Sequence, residues 1–94
     1  MNSTAFNALD FHEQLVLINS YGREIDNIFP WTGNLRIVKL YKLNDFLVEL
    51  ECDLTKNNQG LTYAHGFNSL NYVFDKYPHH FYNDHWNAIN KLIS

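Results

Sequence analysis

Hydrophobic residues first recur at helical spacing in LDFHEQLVLINSYG, where Phe11, Leu15 and Ile18 stand at i, i+4 and i+7, with Leu17 and Tyr21 widening the stripe. Asp10 before this stripe and Glu13 three residues later form a capping-box pattern, and Gly22 suits the residue just past a helix end. The spacing predicts a helix over 11–21. REIDNIF then reads as a turn or a second short helix that Pro30 ends, and WTGN reads as a loop.

The pattern changes in LRIVKLYKLNDFLVELECD, where two β-rich runs flank Asn44-Asp45. Asn and Asp tolerate positive φ, so a two-residue turn there closes a hairpin. The implied register sets Leu43 against Phe46, Tyr41 against Val48, Lys39 against Leu50 and Ile37 against Cys52, on a face that is apolar apart from Lys39. The other face is mixed, with Val38, Leu40 and Leu47 among Arg36, Lys42, Glu49 and Glu51. TKNNQG is a turn by composition, and LTYAHGF reads as a third strand. Asn68 or Ser69 then caps a helix striped by Leu70, Val73, Phe74 and Tyr77. After Pro78 a last helix carries Tyr82, Trp86, Ile89 and Ile93 on one side. The expected architecture is a single α+β domain over residues 1–94. It has an N-terminal helix, a three-stranded antiparallel meander and C-terminal helices packed on one sheet face.

The chain has 94 residues, 46% of them hydrophobic and 16% aromatic, so it can bury a core without metals or disulfides. Its formal net charge is -3, with seven Lys and Arg scattered and no basic run. That balance gives no footprint for nucleic acid. The longest apolar run, Leu15–Ile18, falls far short of the roughly 20 residues of a membrane helix. A lone cysteine, Cys52, fits a reducing compartment, and with no signal-peptide pattern at the start of the chain the expected location is cytoplasmic.

The helix with Glu13, Gln14 and Gly22 is followed by a strand pair holding Leu40, Tyr41, Phe46, Val48 and Glu49, and then by a turn with Asp53 and Asn57 or Asn58. In this order the chain resembles a group of small uncharacterised bacterial proteins across roughly residues 9–77. The resemblance implies the same succession of elements and carries no activity.

Candidate chemistry concentrates in YPHHFYNDHWN. On a helix, His80 and Asp84 lie one turn apart, with His85 adjacent, and His/carboxylate sets suit zinc or similar metals. The plainer reading is a helix entry with solvated histidines, since no HExxH-type motif is present. Cys52 falls on the apolar face, where a thiol packs as a small hydrophobe. Glu49 and Glu51 share the mixed face, and simple charge pairing across the strands with Lys42 and Arg36 accounts for them. A ligand pocket around Tyr63 and His65 is a further option. DLTKNNQG lacks the spacing of a calcium loop.

The expected function is therefore a non-enzymatic protein-interaction or self-associating module, with no cofactor and with a homodimer slightly favoured. The nominated contact residues are Trp31, Val38, Leu40 and Leu47. They qualify only while no helix covers the mixed face. The alternative is a metal-binding protein using His80, Asp84 and His85.

Overall fold

The computed structural model describes residues 1–28, 36–53 and 60–78. It is α+β, with N-terminal helices α1 (Ser3–Asn7) and α2 (Phe11–Tyr21), strands β1 (Arg23–Ile28), β2 (Arg36–Leu43), β3 (Phe46–Asp53) and β4 (Leu61–Phe67), and helix α3 (Asn71–Lys76). The four strands form one antiparallel sheet in the order β1-β2-β3-β4. Trp31 and the expected last helix lie outside the described residues. Among the described residues no helix is long and apolar enough to cross a membrane.

Helix α2 starts and stops where its sequence signals. The Asp10 carboxylate accepts the Glu13 N–H at 2.9 Å, and that bond holds the Asp10 carboxyl below its ordinary range. Gly22 ends the helix, its N–H bonded to the Ile18 carbonyl. A Cβ at Gly22 would collide with that carbonyl, so the tight exit into β1 needs glycine. Helix α1, which has no sequence stripe of its own, is five residues capped by the Asn2 side chain on the Ala5 N–H.

The β2–β3 hairpin has the register its alternation implies, from Leu43 opposite Phe46 to Ile37 opposite Cys52. Asn44 takes φ 56° at the tip. Where β3 ends, the Asp53 N–H donates to the Gly60 carbonyl, and Gly60 has φ 65°, where a side chain would strike the Asp53 backbone.

Two expectations are corrected. REIDNIF is neither turn nor helix in its described part: residues 23–28 form β1, so among the described residues the sheet has four strands rather than three. Its alternation is blurred because the register with β2 slips between Glu24 and Asp26, a bulge on a polar edge strand. The mixed face is also covered. Val38 and Leu40 are fully buried and Leu47 nearly so, in a cluster with Ile28, Phe67, Val73 and Tyr77. Helix α3 lies over this cluster, so the exposure on which Val38, Leu40 and Leu47 were nominated for contacts is absent. Burying such a side chain contributes about 1.5–3 kcal/mol. The opposite face packs Leu43, Phe46, Val48, Leu50 and Cys52 against Phe6 and Ile18. Helices therefore cover both faces, α1 and α2 on one and α3 on the other.

Both sheet edges are defended. Strand β1 carries Arg23, Glu24 and Asp26 as well as its bulge. Strand β4 has a register slip opposite Glu51 and Cys52. Near its other end the Asn7 side chain donates to the Gly66 carbonyl at 2.9 Å and accepts the Gly66 N–H at 2.7 Å. A single carboxamide thus takes the place of a neighbouring strand's peptide group. Gly66 also has no Cβ because the Phe6 and Phe46 rings close on that space. Asn7→Ala is expected to cost about 1–3 kcal/mol, since two backbone groups lose their partners. It should speed amide exchange at Gly66 well beyond the change at Val48, and equal protection in variant and parent would refute this role for Asn7.

Candidate functional site

Strand alternation puts Glu49 on the face under α3, between Leu47 and Glu51, with Leu40 and His65 as its cross-strand neighbours. Its side chain is fully buried. Taking a carboxylate out of water costs several kcal/mol unless donors replace the water. Here α3 supplies most of them. Tyr72 and Lys76 lie one helical turn apart, and Tyr77 follows. Glu49 Oε1 accepts from the Tyr72 hydroxyl, from Lys76 Nζ at 2.9 Å and, at 3.3 Å, from the Tyr63 hydroxyl of β4. Oε2 accepts from the Tyr77 hydroxyl at 2.7 Å. Lys76 Nζ also donates to the Tyr63 and Tyr72 hydroxyls at 2.6 and 3.1 Å, which accounts for all three of its N–H bonds.

The ammonium lies 5.2 Å from the Tyr63 ring centre yet 2.6 Å from that ring's hydroxyl. It therefore sits beyond the hydroxyl edge rather than over the π face, and the contact is a hydrogen bond, not a cation–π interaction. Burial alone would lower the Lys76 pKa, but the bonds to Tyr63, Glu49 and Tyr72 outweigh it and hold the ammonium above its ordinary value. Burial, and then the bond to Glu49, push the Tyr77 and Tyr72 phenols up.

This chemistry is closed. The lysine stays protonated and the two phenols stay neutral, so none of them is poised to move a proton near pH 7. Burial likewise pushes the Cys52 thiol up, against a partial opposing effect of Lys39, so it is no thiolate nucleophile. The Tyr63 hydroxyl is engaged in the cluster, and His65 is packed by its ring against Phe67 and Tyr72. Glu51 meets Arg36 at 3.5 Å and the Thr62 hydroxyl at 3.2 Å. Glu49 takes its cation from α3. No group of three or more His, Cys, Asp or Glu among the described residues could hold a metal ion. His80, Asp84 and His85 lie outside those residues.

A pH effect follows. Lys76, Tyr72 and Tyr77 bind their protons more tightly in the fold than in the open chain. Their contribution to stability is complete below the ordinary phenol and ammonium range, near pH 10, and is lost as pH rises above it. In an alkaline titration the late phenolate absorbance should rise together with loss of the far-ultraviolet circular dichroism. Smooth ionisation of every tyrosine around pH 10 with the fold intact would contradict the cluster.

At the hairpin end, on the face of the sheet away from α3, a groove of about 420 Å³ is lined by Met1, Leu17, Tyr21, Leu43, Asn44 and Phe46. On α2, Leu17 and Tyr21 form the row beside the buried Gln14 and Ile18. Tyr21 is 74% exposed and Met1 57%, and the side chains that line the groove among the described residues are uncharged. Sequence reasoning assigned Leu17 and Tyr21 to the core stripe. It passed over Tyr72, Lys76 and Tyr77 as partners of Glu49, although an acid set opposite Leu40 on a covered face requires donors from the covering helix. No family model matches the chain, and neither a curated protein nor a solved structure matches it.

Proposed function

We propose that this chain is a non-enzymatic protein-interaction module, working in the cytoplasm and engaging another protein or a further copy of itself. The observation that carries this reading is Tyr21, a tyrosine 74% exposed beside an apolar groove. Tyrosine is enriched among the residues that dominate interface energies. The buried polar cluster supports the same reading, because its donors and acceptors are spent on fixing α3. The lone cysteine agrees with a reducing compartment.

A photo-crosslinking amino acid at position 21, with position 12 on another side of α2 as the control, tests this in cells that express the chain. Adducts specific to position 21 support the reading, and mass spectrometry then separates a partner from self-association. No adduct at position 21, or equal labelling at both positions, ends it.

A further inference from the structure

Helix α1 lies on one face of the sheet and α3 on the other, and the end of β4 joins them. Ser3 and Asn7 stand one turn apart on the same side of α1. Asn7 holds both the N–H and the C=O of Gly66, and the Ser3 hydroxyl donates to the Asn68 carboxamide oxygen at 3.1 Å. Between these two grips Phe6 is fully buried, its ring centre 5.6 Å from that of Phe46.

Phe67 sits between the two gripped residues. Strand alternation turns its side chain to the opposite face, where it is buried with Leu40, Leu47 and Val73. Its ring centre lies 4.6 Å from that of Tyr72, in the first turn of α3. The Tyr72 hydroxyl in turn donates to Glu49 and accepts from Lys76. Asn68 is followed at once by Ser69, whose hydroxyl and carbonyl accept the Asn71 and Tyr72 N–H groups as α3 begins. In a close-packed interior a shift of residues 66–68 therefore moves the start of α3 and the ring against which Tyr72 rests.

From this arrangement we infer that α1 is a strap that holds α3 down from the far side of the sheet: its grip on Gly66 and Asn68 fixes Phe67, Phe67 fixes Tyr72, and release of α1 loosens the cover over Val38 and Leu40. The N-terminal segment thereby governs how firmly the Glu49 cluster is closed. Such coupling is mutual, since two sites linked through one element bias each other equally.

Amide exchange of the full chain labelled with nitrogen-15 reads this coupling in both directions, with Val48 on the interior strand β3 as the internal reference. Ser3→Ala removes one hydroxyl and leaves every side chain of α3 and of the Glu49 cluster in place. It should speed exchange of the Phe74 and Tyr77 amides, which donate to the Leu70 and Val73 carbonyls, roughly two- to tenfold relative to Val48, the span of a single hydrogen bond. Asn68→Ala should do the same, and the double variant should add nothing to either change, because both delete one bond. In the reverse direction, Tyr72→Phe keeps the ring on Phe67 and loses the hydroxyl bond to Glu49; it should speed exchange at Gly66 by a similar factor. If Ser3→Ala speeds the α1 amides and leaves those of α3 unchanged, α1 pins the edge of β4 and nothing more, and the inference is overturned. Multiplying effects in the double variant, or an unmoved Gly66 in Tyr72→Phe, overturn it equally.

Discussion

Glu49→Ala is expected to lower the unfolding free energy by about 3–5 kcal/mol, the usual consequence of removing one partner from a buried charged pair. The change deletes the acceptor of four hydrogen bonds and leaves the Tyr63, Tyr72 and Tyr77 hydroxyls and the Lys76 ammonium pointing at a vacated site. For a chain of this length that corresponds to a fall in Tm of roughly 12–30 °C. Urea unfolding followed by circular dichroism measures it. The vacated site keeps donors shaped for a carboxylate, so sodium acetate should restore part of the loss where sodium chloride of equal ionic strength does not. Glu49→Gln should fall between the two proteins, because its amide oxygen can still accept while its N–H groups confront other donors. A loss below about 1 kcal/mol for Glu49→Ala would mean that the cluster is as weak as an exposed ion pair.

The second large effect separates a buried sheet face from a contact face. Leu40 is fully buried beneath α3 and stands directly opposite Glu49. Leu40→Ala should cost about 2–5 kcal/mol through lost burial and the cavity left behind. Leu40→Asp adds an uncompensated carboxylate beside one whose donors are already committed, and it should abolish cooperative folding. A surface position meeting a partner would behave differently, with Leu40→Asp folding normally and only association suffering. A soluble, folded Leu40→Asp chain with unchanged thermal stability would therefore restore the wet-face reading and discard the packing of α3 described above.

What was legible in the chain depended on whether a short-range rule decided it. Asn44-Asp45 flanked by alternating runs set the hairpin register residue by residue, and Asp10 with Gly22 marked both ends of α2. Strand β4 appeared where LTYAHGF placed it. The capping serine was half right: the Ser69 hydroxyl accepts the Asn71 N–H, but the helix itself begins after Leu70 without a side-chain cap. Strand β1 was missed because its polar residues and bulge, which keep an edge from pairing further, also erase the alternation that identifies a strand. The Glu49 cluster was missed for a different reason. Its members come from β3, β4 and α3, and only the tertiary fold says that a helix 23 residues along the chain supplies a phenol to that carboxylate. The groove was hidden by the breadth of the α2 stripe. Spacing alone does not separate Ile18, which is buried, from Tyr21, which is not.

The bonds of Asn7 to Gly66 and of Ser3 to Asn68 bear on the order of assembly. Each strand pairs with its sequence neighbour, so the sheet can zip from the β2–β3 hairpin by closing short loops. Helix α1 cannot dock until β4 is in place, since its receptor is Gly66. Helix α1 therefore belongs to the final, downhill part of folding: weakening its attachment should hasten unfolding and leave the refolding rate nearly unchanged.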